Sequence, residues 1–132
     1  MAIAPCYAAI LGLLYIALSL RVIGLRRSTK VPLGDSHESS YLQRAVRAHA
    51  NFAEYVPLAL MLVAFAEESQ LAKWLVHLLG VLLVLGRGLH AFGISQVPED
   101  FRFRVTGMAL TFSVIGLASL RILLAGPLEG LW

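Results

Sequence analysis

The segment Arg47-Ala48-His49-Ala50-Asn51-Phe52-Ala53-Glu54-Tyr55-Val56-Pro57-Leu58 places Arg47, Asn51, Glu54 and Leu58 at helical spacing, so a guanidinium, a carboxamide and a carboxylate share one helix face. Further on, Arg87 and His90 are three apart and neighbours on a second helix, and Arg102 and Arg104 open a third. If the three converge on one layer, they form an arginine-rich pocket suited to a small anion. Arginine binds carboxylates bidentately, stays charged and cannot act as a general base, so its chemical use is to stabilise an anion. A thiol with a free pKa of about 8.5 shifts toward thiolate beside such cations and becomes the nucleophile at neutral pH. No Ser/His/Asp arrangement, phosphate-binding glycine loop or paired-carboxylate motif argues for another reaction class. His77 is too far from His90 along one helix, at about 1.5 Å per residue, to share a metal with it, and no zinc or iron ligand set emerges.

Each residue also has a plainer reading. Arg21, Arg26, Arg27 and Arg44 have the character of helix-end arginines that reach for lipid headgroups. His90 alone is a packing residue as readily as a ligand. Glu54 is harder to set aside, because a carboxylate inside a span is costly unless it faces water, a neighbouring arginine or a ligand. The single cysteine, Cys6, has no partner for an internal disulfide and is expected to be a small buried apolar side chain.

What must position these groups follows from composition. The 132 residues make one domain, 58% hydrophobic and 14% charged, outside the usual range for a water-soluble fold. The net charge of +3 does not signal nucleic acid, since the basic residues are interrupted by long apolar runs. The first run, Ala2 to Leu20, lacks a basic segment before it and a small-residue cleavage site after it, so it is expected to be a retained span.

A span needs about 20 mostly apolar residues. The uncharged stretches Tyr55 to Ala66 and Trp74 to Gly86 are too short alone, and must extend into Arg44 to Glu54 and Arg87 to Ile94. The expectation is an all-α integral membrane protein, a four-helix up-down bundle with helices about 2–27, 41–67, 71–95 and 101–125 in a single domain 1–132. The polar run Asp35 to Ser40 is placed to cap helix 2, and Glu99 and Asp100 stand before helix 4, whose positive end favours them. Gly88 and Gly93 are expected to allow close helix approach. Of the eleven basic residues, all but Lys73 and Arg121 fall on one side, which the positive-inside rule makes cytoplasmic. Both termini then point away from the cytoplasm, with Trp74 and Trp132 at the far interface.

On these residues the chain resembles the family of membrane-associated proteins in eicosanoid and glutathione metabolism, and most of all its small bacterial members. The resemblance covers most of the chain. It rests on the Arg47 to Leu58 segment, on Gly86-Arg87-Gly88-Leu89-His90-Ala91-Phe92-Gly93, and on Arg102-Phe103-Arg104-Val105-Thr106-Gly107-Met108. It implies four-helix subunits associating as a homotrimer, with glutathione as co-substrate held between neighbours near the cytoplasmic face. Arg47, Asn51, Glu54 and Tyr55 would bind glutathione, joined by Arg87 and His90, and Arg26 or Arg27 from the end of helix 1 would reach the same pocket. Arg104 would hold the thiolate, with Arg102 the alternative through a shift in the preceding loop. The chain departs from the catalytic eicosanoid members in having Ile94 where they carry tyrosine, and His90 where some carry another.

The function expected is therefore a glutathione transferase or peroxidase of the bacterial inner membrane, acting on hydrophobic electrophiles that partition from the lipid. The alternative is a non-enzymatic lipid- or glutathione-binding membrane protein, as the family also includes a lipid-binding scaffold. A transporter of organic cations fits less well, because the polar layer is dominated by arginine and helix 1 has no charge before Arg21.

Overall fold

In the computed structural model, residues 2–32 and 40–129 are described, with side chains through Ala125. The expected capping residues Asp35 to Ser39 and the expected interfacial Trp132 lie outside the described residues. Four helices account for most of the chain: α1 (Ala4–Thr29), α2 (Ser40–Glu68), α3 (Lys73–Ser95) and α4 (Phe101–Glu129). Each is long and apolar enough to cross a membrane. At 1.5 Å per residue even α3, with 23 residues, covers about 35 Å, against a hydrocarbon core of about 30 Å.

The helices run up and down. α2 and α3 lie between α1 and α4, which do not pack on each other among the described residues. The seam of α2 is a run of Phe52, Val56, Ala59, Val63 and Ala66, alternating three and four residues apart. Val76, Leu79 and Leu83 of α3 and Val114 and Ala118 of α4 complete the same core, and Leu11 and Leu18 join it from α1. α1 buries only Ala4, Leu11 and Leu18, seven residues apart, so most of its surface faces outward. That stripe explains a correction: Cys6 is exposed rather than buried, because it points away from the Ala4 side and an outward apolar face costs nothing in lipid.

At the end remote from most of the basic residues, the Glu67 carboxylate closes α1. Its two oxygens accept the Ile3 and Ala4 amides at 2.5 and 2.9 Å, meeting N–H groups that a helix start leaves open. Pro5 in that first turn lacks an N–H where none is needed. The Tyr7 hydroxyl meets His77 Nδ1 at 2.9 Å, and an Arg121 guanidinium donates to the Ser69 carbonyl. Pro57 lies inside α2, where it removes the usual hydrogen bond to the Ala53 carbonyl.

α3 and α4 approach closely through glycine, at Gly93 as expected but not at Gly88. Alanine at Gly93 would put its Cβ 2.6 Å from the Arg104 amide, and alanine at Gly107 would put it 2.5 Å from the Gly86 carbonyl, whereas Gly88 faces open space. The correction has a simple geometric cause. Gly86 and Gly93 are seven apart on the α4 side of α3, and Gly88 is turned away from it.

Candidate functional site

The layer near the start of α2 collects side chains from three helices and a loop. A polar pocket of about 80 Å³ is lined by Arg47, Ala50, Asn51 and Glu54 from α2, His90 and Ile94 from α3, and Arg104 from α4. One turn of α2 separates Arg47 from Asn51 and another nearly reaches Glu54, which is why one face delivers all three. His90 and Ile94 follow at the same spacing on α3.

Beneath this pocket Arg87 is wholly buried. Its Nη2 donates to Asn51 Oδ1 at 2.7 Å, and the guanidinium sits 5.6 Å from the Phe52 ring centroid, within range for a cation–π contact. Thr111 Oγ1 donates to the Gly107 carbonyl at 2.9 Å and faces Arg87 Nη1 at 3.5 Å. His90 Nδ1 lies 3.4 Å from Arg87 Nη2. Among the described residues no carboxylate pairs with Arg87, and its Nε has no hydrogen-bond partner. A buried cation balanced only by neutral acceptors leaves the layer electropositive.

Glu99, in the connection between α3 and α4, closes the outer end. Its Oε1 accepts from Arg104 Nη1 at 2.8 Å and its Oε2 from Arg44 Nη1 at 2.9 Å. Arg44 Nη1 also donates to the Ile94 carbonyl at 3.3 Å. The hydrogen bond from Arg104 holds the Glu99 carboxyl below its ordinary value of 4.5, against partial burial and with help from Arg44. Sequence reasoning assigned Glu99 and Asp100 alike to the start of α4; Asp100 does accept the Arg102 amide there at 2.9 Å, whereas Glu99 turns to the two arginines. A carboxylate flanked by basic residues at both helix ends was the signal that could have marked Glu99.

The remaining sequence candidates are placed elsewhere. Tyr55 lies on the seam with α4, edge-on to Phe112 at 5.5 Å. Arg102 is exposed, Arg27 is exposed and Arg26 is half-buried, and none of these lines the polar pocket. Arg47 and Glu54 are exposed and make no hydrogen bond or ion pair with any described residue, so the arginine pair weighed for Glu54 does not form among the described residues. No cluster of metal-ligating side chains occurs among the described residues. The larger cavity, an apolar groove of about 450 Å³ between α1 and α2 bordered by Gly12, Tyr15, Phe52 and Pro57, lies on another face of α2 and carries no charged group.

Fold and site together define a four-span helical membrane protein with a cation-rich pocket at one end of the bundle. The chain matches the MAPEG family over residues 4–124 and belongs to it. It is 35% identical over 127 residues to the inner membrane protein YecN of Escherichia coli strain K12, covering 96% of this chain and 95% of that protein. The YecN protein of Escherichia coli O6:H1 matches equally.

Proposed function

We propose that the chain is a membrane-bound glutathione transferase, with peroxidase activity on the same site, that acts on hydrophobic electrophiles drawn from the bilayer. The observation that carries this reading is the pocket itself: Arg47, Asn51, Glu54, His90 and Arg104 share one wall, and Arg47 and Glu54 keep their polar groups free of any described partner. An ammonium and carboxylates, the ends of a glutathione molecule, find complementary charges there. Arg104 stabilises the thiolate. The sulfur attacks the electrophilic carbon and forms a C–S bond, and the displaced electron pair leaves with a leaving group or enters a conjugated bond that water protonates. With a hydroperoxide, two glutathiones supply two electrons, the O–O bond breaks, and alcohol, water and glutathione disulfide result.

The reading includes a homotrimer with the site at the subunit boundary. About 80 Å³ is well short of the roughly 300 Å³ at the small end of ligand pockets, so one chain supplies only part of the walls. A neighbour's Arg26 or Arg27, with Tyr55 and Arg102 at the margins, would complete them. The family relationship, the inner-membrane relative and the clustering of basic residues at one end support a site facing the cytoplasm, with both termini across the membrane. A second reading rests on Ile94, which is buried in the pocket wall and brings no hydroxyl to the sulfur: glutathione or lipid is bound without turnover.

Calorimetric titration of the detergent-purified protein with glutathione, followed by ultraviolet absorbance of the thiolate, tests both. Arg104→Ala is expected to abolish the thiolate signal and lower turnover about 10²- to 10³-fold, with a much smaller change in affinity. Equal turnover in variant and parent refutes the role of Arg104. Saturable binding without turnover of any electrophile or hydroperoxide selects the second reading, and no binding by a folded oligomer discards glutathione altogether.

A further inference from the structure

Arg104 does not stand free at the pocket. Its Nη1 is held at 2.8 Å by Glu99 Oε1, and the other oxygen of the same carboxylate is held by Arg44 at 2.9 Å. The Glu99 side chain is only 13% exposed, against 43% for Arg104, so the anchor is the enclosed partner and the arginine is the one that reaches outward. Arg44 is in turn tied to the Ile94 carbonyl, in the pocket wall. The carboxylate therefore joins the start of α2, the end of α3 and the start of α4, while remaining outside the pocket lining itself.

We propose that Glu99 is a positioning residue that aims the Arg104 guanidinium at the pocket and tempers its charge, and so sets the ionisation of the thiol bound there. This rests on the glutathione reading above. A guanidinium shared with a carboxylate attracts a thiolate less than a free one does, since the carboxylate opposes a second anion nearby. Arg44 works the other way: by drawing on Oε2 it takes up part of the carboxylate's charge and leaves more of Arg104 for the sulfur. Among the described residues, the other charged and titratable groups of the layer are Arg47 and Glu54 from α2 and Arg87 and His90 from α3, with Arg21 of α1 hydrogen-bonded to Ser95 and Asp100 and Arg102 at the outer margin. None of these is hydrogen-bonded to Arg104 among the described residues.

The charges give opposite signs for two conservative variants. Glu99→Gln keeps the shape and one acceptor for Arg104 and removes the opposing charge, so the pH midpoint for ionisation of bound glutathione moves down by about one unit, close to tenfold more thiolate below the midpoint. Arg44→Gln leaves the Glu99 carboxylate to Arg104 alone, and the midpoint moves up. Glu99→Asp keeps the charge and is expected to hold the parent's midpoint.

The experiment is a pH titration of thiolate absorbance with glutathione saturating, on the purified oligomer in detergent, for parent and all three variants. Opposite shifts support the assignment. If Glu99 merely braces the fold, both neutral variants slacken Arg104 and both midpoints rise, which overturns it. Should Glu99→Gln fail to fold, Arg44→Gln keeps the proposal falsifiable, since a midpoint that does not rise overturns it. A parent that binds and ionises glutathione, with Glu99→Gln unmoved, overturns this inference alone. A parent that binds no glutathione overturns the functional reading and this inference with it.

Discussion

Replacing Gly107 by alanine puts a methyl carbon 2.5 Å from both the Gly86 carbonyl oxygen and the His90 amide nitrogen, and 2.8 Å from His90 Cβ. Carbon contacts settle at about 3.5 Å or more, and the obstructing atoms are mostly backbone, which cannot rotate aside. The helices must separate by a large part of an ångström. Overpacking of this kind costs about 1–3 kcal/mol, and two backbone contacts place Gly107→Ala at the upper end. The gain in helix propensity returns about 1 kcal/mol, leaving a net loss of about 2 kcal/mol. At roughly 3–5 °C per kcal/mol for a chain of this size, the variant should melt about 6–10 °C below the parent, followed by circular dichroism in detergent at one fixed scan rate. Gly88→Ala is the matched control, because nothing lies within 4 Å of its Cβ and only the propensity gain remains. It should melt a few degrees above the parent. Separation of α4 from α3 also moves Arg104 away from His90, so glutathione affinity should fall in Gly107→Ala and hold in Gly88→Ala. If the two variants shift together, in melting or in binding, glycine contact is not what sets the spacing of α3 and α4.

Two further outcomes follow from the polar layer. Asn51→Leu strips buried Arg87 of its shortest hydrogen bond and should cost about 1.5–3 kcal/mol. Adding Arg87→Met should recover much of that, because no unpaired buried charge remains; additive losses in a double-mutant cycle of unfolding would refute the coupling. The Glu99 carboxyl is held below its ordinary value by the hydrogen bond from Arg104, so the folded state gains stability from the carboxylate above that ordinary value and loses it as pH falls through the lower folded value. The Glu99→Gln variant should therefore be less stable than the parent at pH 7, with the gap closing as pH falls below 4.5. A gap independent of pH would show that the ion pairs do not supply it.

The helices were legible because apolar length is a demand of the bilayer, and it can be counted along one segment. The short uncharged stretches could cross only by taking in Arg44 to Glu54 and Arg87 to Ile94, and α2 and α3 do contain them. The face made by Arg47, Asn51 and Glu54 was legible for the same local reason, since spacing on one helix fixes which side chains are neighbours. Its failures are all questions of what a second element brings. Which glycine meets α4 depends on the rotation of α3, and that favours Gly86 and Gly93 over Gly88. Whether Cys6 is buried depends on which face of α1 finds protein, and in lipid an apolar residue has no preference that a hydropathy pattern could reveal.

Glu99 marks where pattern reading ends and charge reasoning could have continued. It lies 55 residues from Arg44 and five from Arg104, in a loop with no periodicity to consult. Yet Arg44, Arg47, Arg87 and Arg104 converge on one end of the bundle, and such a concentration of cations is unstable without nearby anions. Among the described residues, Glu54, Glu99 and Asp100 are the acidic residues at that end. Asp100 caps α4 and Glu99 binds two arginines, so both are engaged there. Glu54 remains, exposed on α2 beside Arg47 with no ion pair to a described residue. A carboxylate left unpaired along a spanning helix is costly unless water or a partner meets it. The proposed glutathione site supplies such a partner on the α2 face.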